Sequence, residues 1–251
     1  MQRGGENGKP QPVSVATIRA MDIRVWLNAL GTVTPLDLVT VRPRVDGTLL
    51  RVNFSEGQMV QSGMLLAEID PRPFQIQLAQ AKGQLDRDLA LLDNARIDLA
   101  RYRELLGKDA ISRQQVDTQA ALVRQYAGTV EADRGQLDNA GLQLEYTRIV
   151  APTAGRIGLR QIDPGNQVHA SDATGLATIA RLQPISVIFA VPEASLPAIR
   201  RRLAGHERVR VEAWDREQKV RLAEGQLLTT DNQIDTATGT IRLKAGFDNH
   251  D

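Results

Sequence analysis

A spaced glycine pattern occurs twice in this chain, on either side of a long stretch with a different periodicity. In the first copy, Gly47 is followed ten residues later by Gly57, and Val60 follows three residues after that. The second copy has the same spacing in its corresponding residues, Gly155, Gly165 and Val168. Such a repeat indicates an internal duplication, which restricts the fold to one built from two similar halves.

Short runs of β-forming residues surround these glycines and predict strands. The runs are Val39–Val41, Thr48–Val52, Leu65–Ile69, Arg156–Leu159 and Leu176–Ile179. Neither copy has enough apolar surface to fold alone, so we expect the two halves to pair into one small β-sandwich. Glu-Gly and Pro-Gly dipeptides are turn signals between the runs. We expect turns at four glycines, Gly47, Gly57, Gly155 and Gly165.

The stretch between the two copies has an apolar residue at every seventh position. The first series is Leu78, Leu85, Leu92, Leu99 and Leu106, and the residues three positions further on are Ala81, Asp88, Ala95 and Tyr102. The second series is Val116, Val123, Val130, Leu137 and Leu144. This repeat predicts two long helices that form an antiparallel coiled-coil hairpin, with a break at Gly107–Ile111. A hairpin that leaves and re-enters the sandwich at one place should project from it; the alternative is two helices packed on a compact domain.

The remaining chain is rich in β-forming residues. The predicted strands are Asp22–Leu30, Ile185–Val191, Glu207–Ala213, Val220–Thr229 and Gly239–Phe247. Pro192–Leu203 is predicted to form a short helix, because Pro-Glu opens it. Several short strands with one helix are typical of a small barrel.

Composition argues against several classes of function. The 31 Lys and Arg residues nearly balance the 30 Asp and Glu residues, and aromatic residues make up only 4% of the chain. A nucleic-acid interface of the usual basic or stacking kind is therefore not expected. The absence of cysteine excludes disulfides, thiol nucleophiles and cysteine-based metal sites. No apolar run approaches the roughly 18 residues that a membrane span requires, and no signal peptide is recognisable.

No catalytic constellation is evident, so we expect a protein that is not an enzyme. The histidines, His169, His206 and His250, are scattered without the spacing of metal ligands. No nucleotide-binding glycine motif or serine-hydrolase motif occurs. The acidic pair Asp86/Asp88 is expected on a solvated helix face. The basic run Arg200–Arg202 is interpreted as a solvated helix C-terminus, with anionic lipid or partner binding as the alternative.

Four segments together resemble one family of proteins. They are V-R-P-R-V-D-G at 41–47, F-S-E-G-Q-M-V at 54–60, A-P-T-A-G-R-I at 151–157 and T-D-N-Q-I-D-T-A-T-G-T-I at 230–241. On these residues, the chain from 13 to 251 is similar to the periplasmic adaptors, or membrane fusion proteins, of tripartite resistance-nodulation-division (RND) efflux pumps. V-E-A-W-D-R at 211–216 is similar to the MdtA type of adaptor.

The resemblance implies an elongated, multidomain α+β fold. An antiparallel coiled-coil α-hairpin would be inserted in a lipoyl-like β-sandwich, next to a partial β-barrel. It implies a cofactor-free adaptor that links an inner-membrane RND drug/proton antiporter to an outer-membrane TolC-like channel, with copies closing into a hexameric ring. An adaptor of an ABC or major-facilitator exporter is the alternative. The implied location is the periplasm, with an anchor to the inner membrane through a segment missing from this chain.

The resemblance also implies a division of the chain. The expected parts are a disordered tether (1–12), a membrane-proximal strand remnant (13–21), a β-barrel domain (22–38 and 182–251), a lipoyl-like domain (39–71 and 148–181) and the hairpin (72–147). Further barrel residues and a membrane-proximal domain are expected beyond Asp251, so that residues 13–21 should be unpaired in this chain.

The family carries an Arg-x3-Leu-x6-Ser pattern at the hairpin tip, where it docks the outer-membrane channel. Arg101, Leu105 and Ser112 match that spacing. An arginine offers a rigid set of donors, a leucine offers an apolar contact and a serine offers a small hydroxyl, so all three suit docking. The alternative is structural: Ser112 as a helix N-cap, Leu105 in the seam and Arg101 as a solvated charge.

Lipoyl-like domains also occur in swinging-arm carriers, which hold lipoate or biotin on a lysine between the two halves. Ile69–Pro73 occupies that place here, and the nearest lysine, Lys82, falls inside the first predicted helix. We therefore treat a carrier domain as the alternative from a different class, and we expect no bound cofactor.

Overall fold

The computed structural model describes residues 12–21, 25–205 and 208–250. All of the predicted tether (1–12) except its last residue lies outside these residues. His206 lies outside them as well. Residues 12–21 are exposed and have no regular secondary structure. The assignment of 13–21 to a membrane-proximal domain stays a prediction.

The elements follow one another in an order that reflects the duplication. The first five strands are β1 (Gly31–Pro35), β2 (Leu38–Val41), β3 (Gly47–Val52), β4 (Met59–Val60) and β5 (Leu65–Ile69). The long helices are α1 (Arg72–Leu106) and α2 (Arg113–Tyr146). The next strands are β6 (Arg148–Val150), β7 (Gly155–Ile157), β8 (Gln167–Val168) and β9 (Ala177–Ala180). The last elements are β10 (Ile185–Pro192), a 3-10 turn (Glu193–Ser195), α3 (Leu196–Ala204), β11 (Arg210–Trp214), β12 (Arg221–Asp235) and β13 (Thr240–Phe247).

Helices α1 and α2 form the predicted antiparallel hairpin. Leu78 lies beside Gly141 near one end, and the Gln119 amide donates to the Ala95 carbonyl nearer the turn. The seven-residue repeat lies at the interface, where the buried apolar positions include Leu85, Leu92, Leu99, Val116 and Val130. Burying one such side chain contributes about 1.5–3 kcal/mol. This seam holds together two helices that each extend for about 50 Å.

One prediction for the hairpin is wrong. Asp86 is exposed as expected, but Asp88 is only 3% exposed and lies in the seam. The reason is its position three residues after Leu85, which places it on the face that contacts α2. A carboxylate at that position needs partners, and the Arg87 guanidinium and the Gln84 amide both donate to it.

Eight short strands build the sandwich. The sheet orders are β2-β9-β7-β4 and β6-β5-β3-β8, and the strand pairs are antiparallel. Each sheet takes two strands from each half of the duplication, which confirms the predicted pairing. The apolar core between the sheets likewise draws on both halves; its most buried members are Leu49, Leu66, Ile69, Ile157, Leu176 and Ile179.

Two of the four glycines predicted at turns do lie there. Gly57 and Gly165 have φ angles of 76° and 92°, a region that a side chain disfavours. Gly47 and Gly155 instead begin β3 and β7, so the prediction of turns at these positions is wrong. Close packing explains the glycines there: a Cβ atom would come within 2.5 Å of Ile69 Cγ2 at position 47 and of the Ala180 carbonyl oxygen at position 155.

A five-stranded antiparallel sheet completes the described chain, in the order β1-β10-β13-β12-β11. Helix α3 packs on one face, where Ile199 joins Val191, Ile241 and Leu243 in a second core. Strands β1 and β11 are left as the two edges. The sheet is therefore open, in agreement with the expected partial barrel.

The N-terminal strand of this sheet lies later than predicted. Residues 25–30 of the predicted Asp22–Leu30 strand are not in a strand, residues 22–24 lie outside the described residues, and β1 begins at Gly31. Pairing with β10 decides this register. The Thr34 hydroxyl lies 3.0 Å from the Ser186 hydroxyl, which is fully buried, so a shift of the strand would leave that group without its partner.

Candidate functional site

The turn between α1 and α2 is short and closed by its own backbone. Helix α1 ends where the Gly107 amide donates to the Arg103 carbonyl, and the Leu105 carbonyl accepts from both Lys108 and Ala110. Asp109 adopts a left-handed conformation with a φ of 55°, which an aspartate tolerates better than most residues. The tip is therefore a defined structure that can present side chains in fixed directions.

Ser112 begins α2 as its N-cap. Its hydroxyl accepts a hydrogen bond from the backbone N–H of Gln115 at 3.4 Å, and the side-chain oxygen of Gln115 accepts one from the backbone N–H of Ser112 at 3.1 Å. This reciprocal pair is a capping box, which satisfies two backbone donors that the helix leaves free. The structural alternative for Ser112 is thus present in the fold.

Arg101 points into solvent. Its side chain is 71% exposed and makes one ion pair, in which Nη1 lies 3.3 Å from Asp98 Oδ1. An exposed pair of this kind contributes at most about 1 kcal/mol. Most of the guanidinium donors of Arg101 are thus available to a partner without loss of folding stability.

Leu105 is 38% exposed, in contrast to the buried leucines of the seam. The alternative in which Leu105 belongs to the seam is therefore not supported. It lies four residues after Arg101, so the two side chains share one face of the last turns of α1. The structure brings these two together on α1, whereas Ser112 lies across the turn at the start of α2; none of the hydrogen bonds or ion pairs of the described residues joins the three.

Two features of the tip escaped the sequence analysis. The first is Gln115, whose role could have been found from the S-x-x-Q spacing that is typical of a capping box. The second is an exposed ion pair between Lys108 and Glu104, with 2.7 Å between Nζ and Oε1. Its four-residue spacing on a helix end is the signal that would have predicted it.

Lys82 and the two histidines within the described residues, His169 and His250, are not gathered into a site. Lys82 is exposed within α1, beyond the start of that helix at Arg72. His169 Nδ1 lies 3.8 Å from Asp46 Oδ2, and both side chains are more than half exposed. Within 12–21, 25–205 and 208–250, no three His, Cys, Asp or Glu side chains are arranged to hold a metal ion. Arg200–Arg202 are exposed on α3, and Arg201 and Arg202 lie in its last turn, in agreement with a solvated helix C-terminus.

Among the described residues, no helix contains a stretch that is both long and apolar enough to cross a membrane.

Comparison with protein families matches two domain types along the chain. A family model of the barrel-sandwich hybrid domain of RND membrane fusion proteins (RND MFP) matches residues 37–180. A model of the β-barrel domain of RND MFPs matches residues 184–251. The first match by itself covers more than half of the chain.

The chain is also similar to a curated protein. The multidrug resistance protein MdtA of Yersinia pseudotuberculosis (serotype O:3, strain YPIII) is 51% identical over 253 residues. The match covers 99% of this chain and 57% of that protein, so the chain spans little more than half the length of its relative.

Solved structures of low sequence identity share the fold. The membrane fusion protein Spr0693 from Streptococcus pneumoniae R6 matches with a TM-score of 0.65 at 15% identity, over 88% of this chain and 90% of that one. A MacA–MexA chimeric protein that contains the Pseudomonas aeruginosa MexA α-hairpin domain matches with a TM-score of 0.58 at 20% identity, over 88% and 73%. The barrel-sandwich model matches the sandwich and its inserted hairpin, and the β-barrel model matches most of the open sheet that follows. The chain therefore belongs to the RND membrane fusion proteins.

Proposed function

We propose that this chain is part of a periplasmic adaptor that links an inner-membrane RND drug/proton antiporter to an outer-membrane TolC-like channel. The family and the 51% identity to a multidrug resistance protein support this proposal. The observation that carries it is the hairpin tip, where Arg101 and Leu105 share one exposed face. Arg101 is mostly exposed and Leu105 lies outside the buried seam, which leaves that face for a partner.

The chemistry of the tip suits docking against another protein. Arg101 supplies a charged group that can form paired hydrogen bonds with carboxylates or backbone carbonyls. Leu105 is 38% exposed, so docking that buried the rest of it would contribute part of the ~1.5–3 kcal/mol that full burial of a leucine provides. Ser112 adds a small hydroxyl near the start of α2 while it caps that helix. We assign these three residues to the surface that meets the outer-membrane channel.

The proposed assembly is a hexameric ring. Copies joined by head-to-tail contacts form a closed ring when the rotation between neighbours is a whole fraction of a turn. Such a ring would enclose the path of exported compounds and would require no catalytic group or cofactor. In this proposal, the adaptor is anchored to the inner membrane.

The experiment changes the tip without changing the fold. Arg101→Asp and Leu105→Ser are introduced into the protein in cells whose drug resistance depends on it, and cross-linking to the outer-membrane channel is measured alongside resistance. Both variants should be expressed normally and melt within a few degrees of the unchanged protein, because exposed substitutions usually cost less than about 0.5 kcal/mol. Both should lose resistance and cross-linking.

Matched controls lie on the shaft of the hairpin. Arg134→Asp removes an exposed arginine that also makes one ion pair of 3.3 Å, with Glu131. Leu91→Ser removes a leucine that is 41% exposed. These controls should keep resistance and cross-linking. Tip variants that retain full resistance would contradict the docking assignment, and tip variants that melt much earlier would show that the residues are structural.

A further inference from the structure

Two aspartates, Asp88 of α1 and Asp133 of α2, have side chains within hydrogen-bonding reach of each other across the seam of the hairpin. Asp88 of α1 is only 3% exposed, and Asp133 of α2 is half-buried. Leu85, Leu92 and Val130 form a buried apolar cluster of the same seam. Two carboxyl groups within an apolar interface are costly unless each oxygen finds a donor or a proton.

The two carboxyls differ in the donors that they receive. Asp88 accepts from Arg87 Nε at 2.9 Å and Nη2 at 3.2 Å, and from the Gln84 amide at 2.9 Å. Asp133 Oδ2 is buried and, among the described residues, has no hydrogen-bond partner. Asp88 is therefore equipped to remain a carboxylate, whereas Asp133 is not.

A proton on Asp133 would resolve this difference. A neutral Asp133 carries an O–H group that can donate to Asp88, and a hydrogen bond between two carboxyls exists only when one of them is protonated. With one shared proton, the two aspartates and Arg87 sum to zero charge. A second ionised carboxylate would instead place two like charges side by side in the seam.

We propose that Asp88 and Asp133 share one proton across the α1–α2 seam and thereby make the stability of the middle of the hairpin depend on pH. The proposal concerns the hairpin itself and stands whether or not its tip docks a channel.

The directions of titration agree with this arrangement. Burial raises the pKa of Asp133, and the hydrogen bond and negative charge of Asp88 raise it further. The hydrogen bond from Arg87 lowers the pKa of Asp88, against an opposing contribution from burial, and the bond with Asp133 lowers it further. The two carboxyls therefore titrate apart, as interacting pairs do.

The charged groups around the pair are few. From α1 it is faced by the Arg87 guanidinium, together with the uncharged amide of Gln84. On α2, Glu131 and Arg134 are exposed and pair with each other at 3.3 Å. Arg87 is thus the cation that acts on both carboxyls, and a single positive charge compensates only one carboxylate.

The sign of the pH dependence follows from these directions. Asp133 has a raised pKa in the folded hairpin, so its contribution is fully present below its unfolded pKa and is lost as pH rises through the folded pKa. Asp88 has a lowered pKa, so its contribution is present above the ordinary aspartate range and is lost in stronger acid. The seam should therefore be most stable at pH values between the two folded pKa values and should lose stability as pH rises through the raised pKa of Asp133.

The first test is direct. The carboxyl ¹³C shifts of Asp88 and Asp133 are followed by NMR in the 251-residue chain as pH is raised from strongly acidic to alkaline. Asp133 should titrate above the ordinary range for aspartate and Asp88 below it. Titration of both in the ordinary range would overturn the proposal, and this measurement needs no substitution.

The second test compares two like substitutions on α2. Asp133→Asn supplies a permanent donor to Asp88, so this variant should melt higher than the unchanged protein at pH 8 and should lose the decline between mildly acidic and alkaline pH. Asp138→Asn, at an exposed position five residues further on, should keep the decline. The melting temperature of each variant is measured across this pH range by circular dichroism at 222 nm. Identical pH profiles for the two variants would overturn the proposal.

Discussion

Gly47 in the first half of the duplication pairs with Val168 in the second half. The reciprocal pair also exists, because Gly155 pairs with Val60. Each half thus contributes a two-residue strand, β4 or β8, that pairs with a strand of the other half. The spacing that revealed the duplication therefore marks two of the places at which strands of the two halves pair, and both sheets contain strands from both halves.

The pairing of the two halves predicts a steric limit at Gly155. In Gly155→Ala, the new Cβ would lie 2.5 Å from the Ala180 carbonyl oxygen, which belongs to the backbone of β9 and cannot move away freely. We expect destabilisation of about 1–3 kcal/mol, measured by chemical denaturation. Gly83→Ala is the control, since nothing lies within 4 Å of the added Cβ in α1. That change should stabilise the helix by about 0.5–1 kcal/mol, and an equal effect at both sites would contradict the packing argument.

The seam predicts opposite outcomes for two adjacent leucines. Leu92 is 3% exposed, so Leu92→Asp would bury an unpaired charge at a cost of several kcal/mol and abolish most of the helical circular dichroism of the hairpin. Leu91→Asp, at the exposed neighbouring position, should change the melting temperature little. Equal melting temperatures for the two variants would show that Leu92 does not lie in a seam.

The capping box predicts how the two possible roles of Ser112 can be separated. Ser112→Ala removes the cap and should cost about 1 kcal/mol, measured by thermal unfolding. Ser112→Asp keeps a capping oxygen and should melt near the unchanged protein, while it adds a negative charge to the tip. If Ser112→Asp retains stability but loses cross-linking to the channel, the residue contacts the partner. If it retains both, Ser112 is a cap alone.

The hydrogen bond from Gln119 to the Ala95 carbonyl predicts a local contribution to the helix pair. Gln119 Nε2 lies 3.0 Å from that oxygen, so Gln119→Ala should cost about 0.5–1.5 kcal/mol. Gln125→Ala, at an exposed position on the same helix, should cost less than about 0.5 kcal/mol. Denaturant midpoints measure both, and a larger loss for Gln125→Ala would argue against the role assigned to Gln119.

Asp70 predicts a dependence on acid at the base of the hairpin. Hydrogen bonds from the Arg72 side chain, and then from its backbone amide, lower the pKa of Asp70. A lowered pKa in the folded state means that the contribution to stability is present above the ordinary aspartate range and is lost as pH falls through the folded value. Asp70→Asn should therefore melt lower than the unchanged protein at pH 6, and the difference should shrink below pH 3. A difference that is constant with pH would rule out this linkage.

The sequence by itself determined the periodic parts of this protein. The seven-residue repeat located the seam at residues such as Leu92 and Val130, and the ten-residue spacing of glycines located the two halves. Both patterns can be recognised because they lie within short stretches of sequence. A helix repeats its face every 3.6 residues, and an equal spacing of glycines in two segments indicates two segments of similar structure. The family-specific pattern at Arg101, Leu105 and Ser112 was also recognisable in the sequence, and its role in docking the outer-membrane channel is a proposal.

Only the tertiary structure decided which groups meet across the chain. Asp88 occupies a seam position of the seven-residue repeat, but only the packed hairpin brings it against Asp133, a residue far along the chain on the other helix. Gly47 and Gly155 looked like turns, but they are strand positions kept small by Ile69 and by the Ala180 carbonyl. The position of strand β1 is set by its pairing with β10, in which the hydroxyls of Thr34 and Ser186 meet, and not by the alternation of apolar and polar residues in its own sequence. Contacts between distant segments depend on register and packing, which no local pattern contains.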